Sequence, residues 1–421
     1  MPNVRASAAE STVGVDSLPR SQAEVSRRTA ALRTRLPLRY LRQQAHLTAP
    51  AADYRLAEKA LRDAGAVAAR LLDRYGIDHS QVADKLGVSP QVVAEELGSP
   101  TPLVMLDLED GVAPQMLSDA RANAARVMRE TPRGETLRFL RPAGVLEPRC
   151  AEDLWEVLVQ AGSGLAPEDY PLDGIVVPKI RHVHEVEWLY DQLATIESEL
   201  GLEAGRIRVS YLVETGWGLL NLPQLAAAGI DRLAGIILGT VDLSADLLLP
   251  EVRYRHPICE WARDMIVAVA GSVGVPAIDG MTLDFPVAQA ELNAEQNRAL
   301  LLERMQSNFR DALHSIDRGM SGRWVGHPLQ LLATRLAFRS AFTDEAIEQQ
   351  VGQLLRFSEA MASGSGAAVG GSSELLDIGT DRHVRQLLRR ATAWGLLPQS
   401  RARELGLLDG TELDGTEMES A

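Results

Sequence analysis

Lysine and cysteine are scarce in this chain, and both shortages limit the chemistry that it can perform. Lys59, Lys85 and Lys179 are its lysines, so arginine supplies almost all of the positive charge. A Schiff-base mechanism therefore has few candidate lysines. Cys150 and Cys259 are the two cysteines, too few for a disulfide framework or a thiolate zinc site.

The sequence also lacks long apolar runs and a glycine-rich phosphate loop. No stretch of about 18 apolar residues occurs, so no membrane span is predicted. Residues 1–30 contain no apolar central block, so we expect no secretory signal and a cytoplasmic protein. The formal net charge of −14 argues against general nucleic-acid binding. The missing loop disfavours a dinucleotide-binding fold.

A series of alternating strand and helix patterns occupies the middle of the chain. The predicted strands end near residues 107, 141, 178, 214, 242, 279 and 326, a spacing typical of βα units. A candidate first strand near residues 38–48 brings the number to eight. Eight repeats predict an α/β fold of the closed (β/α)8 TIM-barrel type, with an open doubly wound sheet as the alternative.

Composition suggests the domain organisation around this barrel. We expect a disordered N-terminal segment (1–35), a TIM barrel (36–343), a C-terminal helical lid (344–399) and an acidic tail (400–421). A helical insertion is predicted at about residues 70–100. Within it, His79 to Leu97 has the pattern of two short helices joined by a turn, which is typical of a helix-turn-helix. Because the segment has few basic residues, we expect it to pack on the protein rather than bind DNA. Residues 362–373 are expected to be a flexible linker.

Two acids mark the centre of the predicted barrel. Val209 to Val213 is an apolar run that stops at Glu214, and Leu233 to Leu238 is a second run followed by Asp242. Carboxyl ends of parallel strands form the rim where ligands bind in α/β folds. Two carboxylates on adjacent strands can share one hard cation and leave other positions open for water or substrate. The alternative is that Glu214 caps a helix and Asp242 lies in a turn.

Polar residues also follow the other predicted strands. Three carboxylates crowd the end of the first confident strand, and like charges that close need cations or arginines nearby. Lys179 is expected to pair with a carboxylate, while His327 and Asp279 are expected to have structural roles. The polar residues at the strand ends are Asp107, Glu109, Asp110, Arg141, Lys179, Glu214, Asp242, Asp279 and His327.

Seven motifs, in order, resemble the signatures of one enzyme family. They are LDLEDGVAP, LRFLRP, IVVPKI, VETGWGLLNL, LGTVDLSAD, PAIDGMTLDF and GMSGRWVGHPLQL. Together they resemble the citrate lyase beta-subunit and malyl-CoA lyase family of the HpcH/HpaI aldolase superfamily, over roughly residues 103–390. The resemblance implies a TIM barrel, a Mg²⁺ ion, with Mn²⁺ as an alternative, and carbon–carbon bond chemistry of the Claisen type. It also implies a homotrimer or homohexamer.

The resemblance further implies roles for individual residues. Glu214 and Asp242 match the family's metal ligands. Arg141 matches the arginine that binds the polar end of the substrate. The remaining positions are the supporting acids Glu109 and Asp110, the substrate-binding stretch Gly239, Thr240 and Val241, and Asp377, which matches the lid's catalytic acid/base.

The expected activity is that of a magnesium-dependent carbon–carbon lyase or synthase. Its substrates would be an acyl thioester, on coenzyme A or a carrier protein, and an α-keto acid or aldehyde partner. A thioesterase acting on a β-hydroxyacyl thioester at the same metal site, or a non-catalytic regulatory homologue, are the alternatives. Intact Arg141, Glu214 and Asp242 disfavour a regulator.

The lid prediction includes an assembly. Val384, Leu387, Leu388 and Ala391 form an apolar stripe at helical spacing. We expect this stripe to pack over an adjacent subunit and to bring Asp377 to that subunit's metal site.

Overall fold

The computed structural model describes residues 29–369 and 375–408, together with residues 22, 24, 25 and 27. Its centre is a closed barrel of eight parallel strands in sequence order. The strands are β1 (Ala45–Pro50), β2 (Leu103–Asp107), β3 (Leu137–Arg141), β4 (Gly174–Val177), β5 (Arg208–Val213), β6 (Leu233–Leu238), β7 (Ala277–Asp279) and β8 (Gly322–Val325). The predicted TIM barrel is therefore confirmed, and the open sheet is excluded.

Helices surround this barrel and connect its strands. They are α1 (Tyr54–Arg74), α2 (His79–Leu86), α3 (Pro90–Gly98), α4 (Leu117–Glu130), α5 (Cys150–Gly162), α6 (Val183–Glu199), α7 (Gly216–Leu220), α8 (Leu222–Ala228), α9 (Thr240–Asp246), α10 (Pro257–Val273), α11 (Ala294–Asp317) and α12 (Pro328–Ala341). Within the described ranges, no helix is both long and apolar enough to cross a membrane.

The first strand begins later than predicted. Leu38–Leu41 is a short 3-10 helix, and β1 covers Ala45–Pro50. The pattern misleads because Leu38 and Tyr40 are both buried, which imitates the alternation of a strand. β1 closes the barrel by pairing with β2 on one side and with β8 on the other.

The predicted insertion between β1 and β2 is helical. Asp78 caps α2 by accepting a hydrogen bond from the backbone of Gln81 at 2.8 Å, and Ser89 caps α3 in the same way. Val82 and Val93 are buried in an apolar cluster that the insertion shares with α11 and α12. This contact accounts for the apolar faces of α2 and α3 within the same chain.

Two further helices, α13 (Asp344–Ala362) and α14 (Ile378–Ala393), form the predicted C-terminal region. Val384, Leu388 and Ala391 of α14 pack against α13, for example against Val351 and Leu354. The prediction that this stripe packs over an adjacent subunit is therefore wrong, because α13 of the same chain covers Val384, Leu388 and Ala391. Two short antiparallel strands, β9 (Ala368–Val369) and β10 (Leu375–Leu376), precede α14; residues 370–373 of the predicted linker lie outside the described residues.

The end of α14 lies beneath the barrel, at the amino ends of the strands. Trp394 Nε1 donates a hydrogen bond to the carbonyl of Leu41 at 3.0 Å, and Arg42 Nε donates to the carbonyl of Ala393 at 2.9 Å. Leu41 and Arg42 both precede β1 in the sequence. The end of α14 is thus anchored to the barrel face opposite the predicted active-site rim.

Parts of the two predicted terminal segments are folded. Thr34 donates a backbone hydrogen bond to Val273 at 2.8 Å, so residues 29–35 cross the end of α10. Residues 399–404 form a last helix, α15 (Gln399–Glu404), and Ala402 and Leu407 are buried. The predicted disorder of residues 1–21 and the predicted tail from 409 onward fall outside the described residues.

Candidate active site

The polar residues singled out in the sequence gather around the carboxyl ends of β2 to β6. Asp107 and Arg141 are the last residues of β2 and β3, and they are register partners on these neighbouring strands. Glu214 directly follows β5, and Lys179 lies two residues beyond β4. A parallel barrel brings all its strand ends to one rim, so side chains distant in sequence meet there.

Arg141 is held by two carboxylates. Its Nε and Nη2 donate to the two oxygens of Asp107 at 2.7 and 2.9 Å, and its Nη1 lies 3.1 Å from Glu109 Oε2. The ring of Trp324 covers the guanidinium, with 5.2 Å between Arg141 Cζ and the ring centroid. Although burial lowers the pKa of Arg141, these carboxylates outweigh it and raise the pKa, so the group stays charged. A guanidinium has five N–H groups, and within the described residues two of those on Arg141 have no partner, so they can bind a substrate.

Lys179 links the acids that follow β2. Its ammonium forms an ion pair with Glu109 and lies 3.4 Å from both oxygens of Asp110. Burial opposes its charge, but the bond to Glu109 and the surrounding carboxylates raise the pKa of Lys179. The predicted pairing of Lys179 with a carboxylate is confirmed. Because only the neutral amine attacks a carbonyl, a raised pKa also makes Lys179 a poor nucleophile for an imine.

The same contacts give Glu109 and Asp110 different protonation behaviour. Burial raises the pKa of Glu109 to about 7, against the opposing charge of Arg141. Asp110 is more exposed, and its pKa is lowered because the hydrogen bond from Glu109 and the charge of Lys179 outweigh burial. Glu109 is therefore the carboxyl of this pair that changes its charge near neutral pH.

The backbone of Lys179 is strained in order to reach Glu214. Lys179 has a φ of 56°, in the left-handed region that non-glycine residues rarely adopt. In this conformation its backbone N–H donates to Glu214 Oε1 at 3.0 Å. Backbone strain of this kind persists where the surroundings enforce it and is concentrated at functional sites.

Glu214 is a buried carboxylate, and one of its oxygens accepts no hydrogen bond from the described residues. It is 1% exposed, and its Oε2 has no hydrogen-bond partner among the described residues. Burial raises its pKa well above the ordinary value, and the charges of Asp242 and Glu109 act in the same direction. A buried polar atom without a partner is costly and calls for a ligand.

The stretch between β6 and Asp242 lies against this carboxylate. Gly239 is in register with Glu214's strand end, and a Cβ there would lie 2.6 Å from Glu214 Oε2. Thr240 is buried, and its Oγ1 also has no partner among the described residues. Val241 is 44% exposed. Asp242 lies in the first turn of α9, a short helix that the sequence did not predict.

These residues fit a divalent cation of the magnesium type. Mg²⁺ is bound in proteins by one or two carboxylates while water and substrate complete its octahedral shell. Glu214 and Asp242 supply two carboxylates, and the unpartnered Oε2 of Glu214 is a free ligand atom. In the described part of the chain, no group of three or more His, Cys, Asp or Glu side chains is placed so that it could hold a metal ion.

Three of the polar residues considered in the sequence have other surroundings. Asp279 is fully buried and accepts hydrogen bonds from Arg263 Nε at 2.8 Å and Ser315 Oγ at 2.6 Å, so it anchors α10 and α11 to β7. His327 caps α12 through Nδ1, and burial lowers its pKa to about 4. Asp377 is the N-cap of α14. Its side chain accepts a hydrogen bond from the backbone of Thr380 at 2.9 Å, which lowers its pKa.

Two residues that were not among the predicted catalytic, substrate-binding or metal-binding residues also contact Arg141. Asp107 is the last residue of β2, and its bidentate bond fixes Arg141. Trp324 covers Arg141 and donates its indole N–H to the hydroxyl of Thr48. An acid at one strand end beside an arginine at the next was a readable signal for Asp107. The Trp324 contact spans β8 and β3, which are not neighbours, so sequence spacing gave no sign of it.

Comparison with known proteins finds similarity to two enzymes named as lyases of CoA esters. L-malyl-CoA/beta-methylmalyl-CoA lyase of Rhodobacter capsulatus is 27% identical over 306 residues, covering 69% of this chain and 87% of that protein. Mitochondrial citramalyl-CoA lyase of Homo sapiens is 25% identical over 270 residues, covering 62% of this chain and 71% of that protein.

Solved structures and family models extend the comparison. The crystal structure of a citrate lyase from Burkholderia xenovorans LB400 has a TM-score of 0.58 at 21% identity, covering 88% of this chain and 96% of that chain. This likeness shows a shared fold. Residues 29–418 match the family model described as a domain of unknown function, DUF6986. The chain therefore belongs to the DUF6986 family, and its sequence is similar to that of malyl-CoA lyase, in agreement with the resemblance of its motifs.

Proposed function

We propose that this protein is a carbon–carbon lyase that cleaves a β-hydroxyacyl-CoA thioester to an acyl-CoA and an α-keto acid or aldehyde, or runs the reverse Claisen condensation. The relatives named malyl-CoA lyase and citramalyl-CoA lyase support this chemistry. One observation in the site carries the proposal: a charged arginine and a buried carboxylate with a free oxygen lie at one rim of the barrel.

The chemistry needs positive charge at a developing oxyanion. Cleavage of the carbon–carbon bond leaves an enolate of the acyl thioester, whose oxygen must be stabilised. Arg141 has two uncommitted N–H groups and a geometry fixed by Asp107 and Glu109. A preorganised guanidinium of this kind makes charge-assisted bonds to an oxyanion or a carboxylate without further rearrangement.

Glu214 and Asp242 would hold a Mg²⁺ or Mn²⁺ ion. When bound, the ion supplies Lewis-acid polarisation of substrate oxygens. Lys179 fixes Glu214 through its backbone N–H and neutralises Glu109 with its ammonium, so it is a positioning residue. The Thr240 hydroxyl, like Glu214 Oε2, has no hydrogen-bond partner among the described residues, and we propose that it contacts the substrate.

The proton donor is proposed to come from another subunit. Asp377 resembles the family's lid residue, and α14 that it caps is anchored below the barrel of its own chain. The carboxyl end of α14 therefore lies on the face of the barrel opposite the active-site rim of the same chain. The proposal consequently includes a homo-oligomer in which Asp377 reaches a neighbour's site, with the trimer and hexamer of the resembling family as the expected sizes.

Product analysis tests this function directly. Purified protein with Mg²⁺ is incubated with malyl-CoA or citramalyl-CoA, and the products are separated by chromatography. Formation of acetyl-CoA with glyoxylate or pyruvate supports lyase activity. Free malate or citramalate with coenzyme A would instead identify a thioesterase and overturn the proposal. Glu214→Gln and Arg141→Gln should abolish the carbon–carbon cleavage, whereas Arg382→Gln, an exposed change on α14, should leave it intact.

A further inference from the structure

The loop that follows β7 crosses the active-site rim from the end of β6 to the end of β8. We call the segment between β7 and α11 the β7 loop. Gly280 lies against the buried Thr240, because a Cβ at Gly280 would be 2.4 Å from Thr240 Oγ1. Met281 and Phe285 lie against Gly326, where a Cβ would be 2.8 Å from Met281 Sδ and 2.7 Å from Phe285 Cζ. The β7 loop therefore covers the part of the rim between β6 and β8.

Hydrogen bonds from α11 and α12 hold the β7 loop in place. Gln330 Nε2 of α12 donates to the carbonyl of Thr282 at 2.9 Å. Arg304 Nη1 of α11 donates to the carbonyl of Phe285 at 2.5 Å and to that of Val287 at 3.3 Å. The loop is thus fixed before a substrate arrives, and its side chains form a preorganised surface.

Trp324 extends this surface towards Arg141. It belongs to β8, two positions before the glycine that contacts the loop, and its ring covers the Arg141 guanidinium. The indole N–H donates to the Thr48 hydroxyl, which fixes the plane of the ring. Trp324, Met281 and Phe285 are all partly exposed, so they can contact a bound molecule. We call these three residues the apolar wall.

The two halves of the rim differ in polarity. Charged side chains occupy the ends of β2 to β5, where Arg141, Lys179 and Glu214 lie. The charged residues of the β7 loop are Asp284 and Glu291, and both are exposed. A substrate with a carboxylate at one end and an apolar group beside it matches this division, because covering partly exposed apolar surface is favourable.

We propose that the apolar wall makes the site selective for α-keto acids with an alkyl substituent on the carbonyl carbon, such as pyruvate and 2-oxobutyrate, over glyoxylate. This inference rests on the proposed lyase function. The carboxylate of the keto acid binds Arg141, and the substituent packs on the ring of Trp324 and on Met281. Glyoxylate has a hydrogen atom in place of the substituent, so it leaves the wall uncovered. The matching thioester substrates are β-hydroxyacyl-CoA esters whose hydroxyl carbon is tertiary.

Calorimetric titration of the full-length protein, loaded with Mn²⁺, with glyoxylate, pyruvate and 2-oxobutyrate tests the wall. Affinity should rise about fourfold at each step of this series, the gain expected for burying one CH₂ group. In Met281→Ala the rise from pyruvate to 2-oxobutyrate should be lost, whereas the affinity for glyoxylate should stay unchanged, because glyoxylate does not reach the wall. Met281→Leu keeps an apolar side chain of similar size and should keep the preference.

Met361→Ala is the matched control, because Met361 is an exposed methionine on α13, and it should keep the wild-type affinities. Thermal unfolding verifies that each variant folds. Equal affinities of the wild type for the three keto acids, or an unchanged preference in Met281→Ala, would overturn this inference, and so would a protein that binds none of them. Failure of the lyase function is seen separately, as the absence of acyl-CoA in the product analysis, because keto-acid binding does not require turnover.

Discussion

Gly239 and Glu214 lie so close together that Gly239 has no room for a side chain. A Cβ on Gly239 would be 2.5 Å from Glu214 Cβ and 2.6 Å from its Oε2. The two residues lie side by side because Val213 and Leu238, which precede them, are register partners on β5 and β6. The absence of a side chain at position 239 is therefore what lets the carboxylate keep its place.

Gly239→Ala should weaken the binding of a divalent cation. The added methyl group displaces Glu214 Oε2, the proposed ligand atom, and we expect at least about a tenfold loss of Mn²⁺ affinity. Titration calorimetry with Mn²⁺ measures this loss. Gly98→Ala is the matched control, because a Cβ there meets no other atom within 4 Å. Equal Mn²⁺ affinity in both variants would show that Glu214 is not a ligand of the metal.

Glu214→Gln should make the metal-free protein more stable while abolishing turnover. Burial raises the pKa of Glu214 above its ordinary value of 4.5, so the ionised side chain destabilises the fold by about 1.4 kcal/mol for each unit of the shift. Below pH 4.5 the carboxyl is protonated in both states, and the advantage of the variant is absent. It should grow as the pH rises from 4.5 towards the raised pKa of Glu214 and be complete above that pKa. Thermal unfolding at several pH values, without metal, measures this difference.

Activity should decrease as the pH falls through about 7, the pKa to which burial raises the Glu109 carboxyl. Protonated Glu109 no longer carries the negative charge that pairs with Lys179 and Arg141. We expect kcat/KM to fall by about tenfold for each pH unit below this value. In Glu109→Gln the inflection should disappear. An unchanged inflection in that variant would assign the titration to another group.

Borohydride should not trap a covalent intermediate on Lys179. Its ammonium is paired with Glu109, and its pKa is raised despite burial, so the free amine needed for an imine is scarce. Mass spectrometry of the digested protein, after treatment with borohydride and pyruvate, measures modification at each lysine. Lys59 and Lys85 report the non-specific background. A specific adduct on Lys179 would replace the proposed enolate chemistry with imine chemistry.

Mixing two inactive variants tests whether Asp377 acts between subunits. An Asp377→Ala chain has an intact metal site, and a Glu214→Ala chain has an intact Asp377. Hybrid oligomers should recover part of the activity, because one site in them combines both intact groups. Subunit exchange is verified by mass spectrometry of differently tagged chains. Persistent inactivity of verified hybrids, or a monomeric protein, would exclude this role for Asp377.

The barrel was predictable because its strands are almost completely buried. Strands such as Leu103–Asp107 and Leu233–Leu238 are buried at every position, which gives short, uninterrupted apolar runs. Helices with weak intrinsic signals were harder to place. Leu219–Ala228 has the apolar spacing of a single helix, but Pro223 lacks a backbone N–H and separates α7 from α8. The short α9 was missed because Thr240, Val241 and Asp242 have low helix propensities.

The sequence predicted which strand ends form the candidate site. It did not predict the hydrogen bonds and ion pairs between their residues. Spacing indicated that Arg141, Glu214 and Asp242 share one rim, which the parallel strands enforce. It did not indicate that Lys179 adopts a left-handed backbone to reach Glu214, because such strain depends on tertiary contacts. The apolar stripe of α14 was predicted correctly, but its partner was not, since periodicity identifies a buried face and does not identify what covers it.

The anchoring of α14 beneath the barrel has a consequence for biosynthesis. Trp394 and Ala393 bind the segment at Leu41 and Arg42, more than 350 positions earlier in the chain. β1 likewise needs β8 to complete its hydrogen bonds. On the ribosome, the first strand therefore emerges long before either of its late partners. In a nascent chain arrested before residue 375, the barrel face that α14 covers would stay exposed. We expect chaperones to recognise this surface until translation ends.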